Sequence, residues 1–186
     1  MPQPPSSAVP PGRALRRLVW LVRLLALVGA AALLTVPAVF WADAGWVQAA
    51  APSMAGLGVH PTVVDERARL LGALASLPGV LLGLAALWRL WRLFGEYAAG
   101  RVFGAAAQRH LRGFAAALLA SAVVTPFMRA AVGIALTLGN PPGQRVLAFT
   151  LSWNDYLSIL CGAVLLAVAL VMADAVRLAE DNEGFV

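Results

Sequence analysis

The sequence has no lysine, one cysteine, two histidines and few charges of either sign. A lone cysteine, Cys161, permits no intrachain disulfide and no cysteine metal cluster. Inside an apolar run it reads as a small buried apolar side chain. His60 and His110 stand far apart with no ligand motif around either, so no metal site and no cofactor are expected. The missing lysine leaves arginine as the only basic residue, which points to a GC-rich coding sequence more than to guanidinium chemistry. Motifs for chemistry are missing too: there is no Gly-x-Ser-x-Gly, no His-Glu-x-x-His and no phosphate loop. The intramembrane acid pairs of proton-coupled carriers and the inverted repeats of transporters are also absent. These gaps argue against an enzyme. They argue less strongly against transport, because backbone and small residues can line a pore.

What is present is apolar surface. Of 186 residues 61% are hydrophobic and 12% charged, with a mean hydropathy of +0.80. Soluble domains are about 45–50% apolar and about 25% charged. A water-soluble fold of this size keeps too much surface wet to hide such a composition, so lipid must solvate it. Four apolar runs, at about 18–41, 69–91, 113–138 and 156–176, each match the roughly 20 residues that a bilayer core requires. A secretory leader is the rival reading of the first run. Its length exceeds the roughly 7–15 apolar residues of such a segment, and an uncleaved span is expected. Residues 1–12 are rich in proline and serine and read as a disordered tail, leaving 13–186 as one four-span membrane domain.

The fold expected is all-α, a four-helix transmembrane bundle with a short extended segment in the outer loops. Pro52, Gly56, Gly58 and Pro61 make the first outer loop, 42–65, irregular or partly extended. The second outer loop alternates from Arg145 to Trp153, a period of two that predicts an extended segment, with the first loop as its candidate pairing partner. Asp65 and Glu66 suit the start of the second span. Ser152 with Asp155 three residues later resembles the start of the fourth. The second helix is expected to continue to Tyr97, with Gly100 as its stop and a new helix beginning near Gly104.

Charge sets the orientation. With the N-terminus in the cytoplasm, the inner ends collect Arg13, Arg16, Arg17, Arg23, Arg89, Arg92, Arg101, Arg109, Arg112 and Arg177, ten against the three outer arginines Arg67, Arg69 and Arg145. That is a positive-inside bias. Trp20, Trp88 and Trp91 then lie near the inner interface, and Trp41, Trp46 and Trp153 near the outer one. The expected location is a bacterial inner membrane, multi-pass, with both termini cytoplasmic. A net charge of +5 could point to nucleic acid, but the arginines flank apolar runs, so no direct nucleic-acid binding is expected.

Arg129 is the sharpest anomaly. It lies within the third span, where an ionised group costs about 2.5–3.5 kcal/mol on insertion scales. It forms part of an ion or substrate path, pairs with Asp155 at the start of the fourth helix, or snorkels to the outer interface along its long stem, and Arg129 with Asp155 is the candidate intramembrane polar pair. Asp174 has a local partner in Arg177 at i,i+3, and Arg23 is expected to snorkel. Gly72-x-x-x-Ser76 and Gly79-x-x-x-Gly83 give the second span a small-residue face, expected to serve packing within the chain rather than dimerisation.

The turn between the second and third spans reads Leu93-Phe94-Gly95-Glu96-Tyr97-Ala98-Ala99-Gly100-Arg101-Val102-Phe103, and the chain closes with Ala179-Glu180-Asp181-Asn182-Glu183-Gly184-Phe185-Val186. With four spans in under 200 residues, the sequence resembles the bacterial membrane family called domain of unknown function 2975 over about residues 15–186. That family shares a Phe-x-x-Tyr-x-x-Gly-x-x-Phe-like turn and an acidic, Asn-containing tail. It departs from the pattern at Gly104, where the family often has Ser or Thr, a better cap. The resemblance carries over no activity and no catalytic residues. It implies as partner a small helix-turn-helix regulator, encoded beside some members, or another membrane protein; membrane lipid is the remaining partner. Phe94, Tyr97, Gly100 and Phe103, with Glu180, Asp181 and Asn182 of the tail, form a candidate cytoplasmic turn and clasp. The function expected is structural or regulatory, non-enzymatic, through a partner bound at the cytoplasmic face. The alternative is a small transporter or channel subunit.

Overall fold

Helix caps punctuate this chain, and they divide it into five helices in a computed structural model that describes residues 13–58, 60–102 and 104–183. The tail at 1–12 and Phe103 lie outside the described residues, as do the side chains of Glu180, Asp181 and Asn182. The helices are α1 (Arg13–Ala42), α2 (Ala44–Met54), α3 (Glu66–Ala98), α4 (Ala105–Thr137) and α5 (Trp153–Glu183). All but α2 are long and apolar enough to cross a bilayer. The chain is an all-α, multi-pass membrane protein. Leu25, Val36, Leu81 and Val171 are each 59% exposed or more on the outer faces of these helices, a surface that only hydrocarbon can cover at low cost.

The long helices pack in chain order, α1 on α3, α3 on α4 and α4 on α5. All three contacts are antiparallel. Arg23 near the start of α1 reaches Trp91 and Gly95 near the end of α3, and Arg89 of α3 lies against Gly113 of α4. The α3–α4 turn therefore marks one end of the molecule, here the turn end, and α2 with the two longer loops marks the loop end. Small residues permit the close approaches. A Cβ on Gly72 would overlap the Trp41 ring, one on Gly83 would stand 2.8 Å from Leu33, and one on Gly79 would stand 2.5 Å from Met128. The glycines of α3 are thus filled from α1 and α4 of the same chain. Gly162 does the same for α5, against the backbone of Leu119.

α2 corrects the expectation of an irregular first outer loop. Asp43 starts it, accepting the Trp46 N–H at 3.0 Å, and Pro52 falls in its last turn. The helix buries Val47 and Ala51 in a cluster with Trp41, Ala55, Leu57 and Leu136. Full burial of a valine is worth about 1.5–3 kcal/mol, enough to hold a short helix that proline and glycine disfavour. The core of this fold thus sits at the loop end, not at the middle of the spans.

The alternating stretch 144–152 is neither helix nor paired strand. Val146 and Ala148 turn in to the cluster, while Leu147, Phe149, Leu151 and Trp153 turn out and are 51–72% exposed. Its period of two is real, but side chains supply the ladder. Thr137 Oγ1 accepts the Val146 N–H at 3.3 Å, Arg129 donates to the Thr150 carbonyl at 3.0 Å, and Asp155 accepts the Ser152 N–H at 2.7 Å. The first outer loop lies alongside, with Thr150 against Gly56, but forms no backbone ladder with it among the described residues.

Two further expectations are corrected. Cys161 is exposed, not buried, because α5 packs on α4 and turns most of its circumference outward. Asp174 and Arg177 form no ion pair among the described residues, since two exposed side chains lose rotamer freedom for little gain.

Candidate functional site

Two polar centres stand out, one near each end of the spans. At the loop end, α4 brings Arg129 to Asp155 at the start of α5. The carboxylate is 4% exposed. It accepts from Arg129 Nη2, and from the N–H and hydroxyl of Ser152, each at 2.7 Å. Ser152 Oγ in turn accepts the Asp155 N–H at 3.2 Å, so the two residues cap the helix start reciprocally. Arg129 Nη2 also donates to Thr150 O at 3.0 Å, which ties α4, α5 and the extended stretch together. Arg129 is engaged in this network with 27% of its side chain exposed, and its Nε is buried without a partner.

Space flanks the pair on both sides. An apolar pocket of about 400 Å³ lies between α1, α2, α3 and α4, walled by Pro37, Phe40, Met54, Met128 and Arg129. A groove of about 450 Å³ between α4 and α5 exposes Thr125, Asn154, Ser158 and Cys161. Hydroxyls there are already used: Thr125 donates to Ser121 O at 2.8 Å and Ser158 to Asn154 O at 2.7 Å.

Sequence reasoning missed the residues that tie the loop-end segments together. Asn140 is 3% exposed and donates to Pro61 O at 2.7 Å and to Gln144 O at 3.1 Å. Val63 N–H donates to Leu136 O at 3.0 Å beside it. The cue was Gly-Asn-Pro-Pro-Gly, a turn whose Asn has a side chain able to replace backbone partners.

At the turn end, α3 stops at Ala98 and Gly100 takes φ 75°, a left-handed conformation that glycine adopts without steric cost. Gly104 caps α4 through backbone alone. Arg101 folds back on Glu96 at 2.8 Å, and this bond holds the guanidinium pKa above its ordinary range. The Phe94 and Tyr97 rings meet at 5.4 Å. Of the turn-and-clasp residues, the structure therefore brings Phe94 to Tyr97 beside Gly100.

Below the turn lies a layer of guanidiniums. Arg89 and Arg92 stand 5.3 and 5.7 Å from the centre of the Trp88 ring, and Arg23 stands 4.9 Å from that of Trp91. His110 meets Trp88 edge-on at 6.4 Å, with its Nδ1 buried and unpartnered. Gln108 is 5% exposed and its Oε1 has no donor. Arg89, Arg92, Arg109 and Arg112 have no carboxylate partner among the described residues. No group of three or more metal-ligating side chains occurs among them either.

No curated protein and no solved structure matches the chain. A family model matches residues 47–185, from within α2 through α5, and leaves α1 outside the match. The matched region takes in the Phe94–Phe103 turn and most of the acidic tail, and it spans well over half of the chain, which therefore belongs to the family described as protein of unknown function (DUF2975).

Proposed function

We propose that this protein is a non-enzymatic, multi-pass protein of a bacterial inner membrane, with both termini cytoplasmic, and that the tip of its α3–α4 hairpin docks a cytoplasmic partner in a structural or regulatory role. The observation that carries this reading is the reach of the hairpin and the fixing of its tip. α3 has 33 residues. At 1.5 Å per residue such a helix is about 50 Å long, well beyond a hydrocarbon core of about 30 Å. The surplus lies mainly at the turn end, from Arg89 to Ala98, and α4 matches it from Ala105 to Arg112. The Glu96–Arg101 bond and the Phe94–Tyr97 ring pair fix the tip. A preorganised tip gives up little conformational freedom on binding. The partner is a small helix-turn-helix regulator, as the family resemblance implies, or another membrane protein.

The transporter reading would need Arg129 free to meet a solute. What supports docking instead is that Arg129 is bonded to Asp155 and Thr150. A photo-crosslinking side chain at Tyr97 tests the proposal in cells. It is expected to capture a cytoplasmic protein, and the yield should collapse when Arg101→Gln releases the turn. Capture no greater than from the same group at Leu147, at the other end of the molecule, would overturn it. Solute flux in proteoliposomes that Arg129→Ala abolishes would favour the transporter.

A further inference from the structure

We propose that the arginine layer at the foot of the α3–α4 hairpin holds the phosphate of an anionic phospholipid from the leaflet at the turn end. This site lies below the docking tip and needs no cytoplasmic partner. Its first support is unbalanced charge. Arg23, Arg89, Arg92, Arg109 and Arg112 lie at this level, none of them has a carboxylate partner among the described residues, and Glu96 is engaged by Arg101.

The second support is preorganisation. Arg89 lies across Gly113, its Nε 3.0 Å from where a Cβ would stand, so the side chain bridges α3 and α4. Arg89 and Arg92 share the Trp88 indole, which restricts both without consuming the N–H donors at their edges. Forked donors of this kind match phosphate oxygens in a bidentate manner. His110 Nδ1, buried and unpartnered beside them, offers one more polar atom.

The third support distinguishes a lipid from a soluble anion. Leu70, Leu74, Leu77, Leu81 and Trp88 of α3 are 46–63% exposed and recur at helical spacing along one face. The stripe ends at the arginine layer. The part of it from Leu77 to Trp88, about 16 Å at 1.5 Å per residue, matches one leaflet of a core about 30 Å thick, so an apolar track that ends in guanidiniums at the headgroup level fits a phospholipid, and basic sites between spans are a known means of holding such headgroups.

The test uses the full-length protein in neutral detergent. Its thermal unfolding is followed with added phosphatidylglycerol, with phosphatidylcholine of the same acyl chains, or with inorganic phosphate. Phosphatidylglycerol should raise the midpoint by several degrees, with phosphatidylcholine and phosphate well below it. The double variant Arg89→Gln, Arg92→Gln should lose most of that shift, whereas Arg101→Gln should keep it. If the double variant does not fold, Arg109→Gln, at an exposed position, should reduce the shift. Equal shifts from both lipids, or from phosphate, would overturn the proposal. So would a lipid shift that appears only after Glu180→Gln, Asp181→Asn and Glu183→Gln, because the chain's own tail would then be the occupant.

Discussion

The two polar centres handle arginine in opposite ways. At the loop end one guanidinium meets one carboxylate, and the N–H and hydroxyl of Ser152 share the same carboxylate oxygen. At the turn end Arg101 takes the Glu96 carboxylate, while Arg23, Arg89 and Arg92 rest on tryptophan faces and Arg109 and Arg112 have no carboxylate partner among the described residues. The first arrangement is closed and serves the fold. The second is open, with donors left to offer, and its natural complement is an anion that the described part of the chain does not supply.

The contrast can be broken most sharply at Asp155. Asp155→Ala would leave Arg129 in an apolar layer without its counter-ion. Losing one partner of a buried pair costs about 3–5 kcal/mol, so a large fall in thermal midpoint in detergent is expected. Replacing both, as Arg129→Met with Asp155→Leu, should recover much of that loss; a double variant no better than the single one would show that the pair does more than neutralise itself. Next in size is Gly72→Leu. The added side chain would collide with Trp41, and overpacking costs about 1–3 kcal/mol. A cysteine cross-link between α1 and α3 near this level should then form more slowly. Asn140→Ala comes third. It leaves the carbonyls of Pro61 and Gln144 short of a donor at a cost of about 1–3 kcal/mol, and faster hydrogen exchange at 60–65 and 141–146 should report it. Asp43→Ala should cost about 1 kcal/mol as the loss of a helix cap, with exchange rising at Trp46. Smallest of all, Arg89→Gln with Arg92→Gln should barely move the midpoint in lipid-free detergent. A drop as large as that of Asp155→Ala would mean the arginine layer is as much a structural element as the loop-end pair.

Local features of this fold could be read from the sequence, and distant ones could not. The four spans follow from composition and length. The caps at Asp65 and at Ser152 with Asp155 follow from spacings of three residues, because donor and acceptor lie within one helical turn. The cost of Arg129 inside a span was legible, and so was the nearest acid able to meet it. α2 was not, because Pro52, Gly56, Gly58 and Pro61 read as a loop; burial of Val47 and Ala51, a tertiary matter, decides it. The roles of Thr137 and Asn140 were hidden for the same reason. Asn140 meets a carbonyl 79 residues away, and no local pattern announces such a partner. The extended stretch shows both limits at once: its alternation is plain in the residues, while the side chains that replace a neighbouring strand come from elsewhere in the chain.

The chain-ordered packing of α1, α3, α4 and α5 bears on how the protein is made. Each long helix finds its main neighbour in the one synthesised just before or after it, so a span leaving the ribosome meets a surface already in the membrane. Nothing synthesised first has to wait for the last helix, and contacts close in sequence distance form fast. Biosynthesis can therefore proceed as a series of additions to a growing edge, with α5 added onto α4.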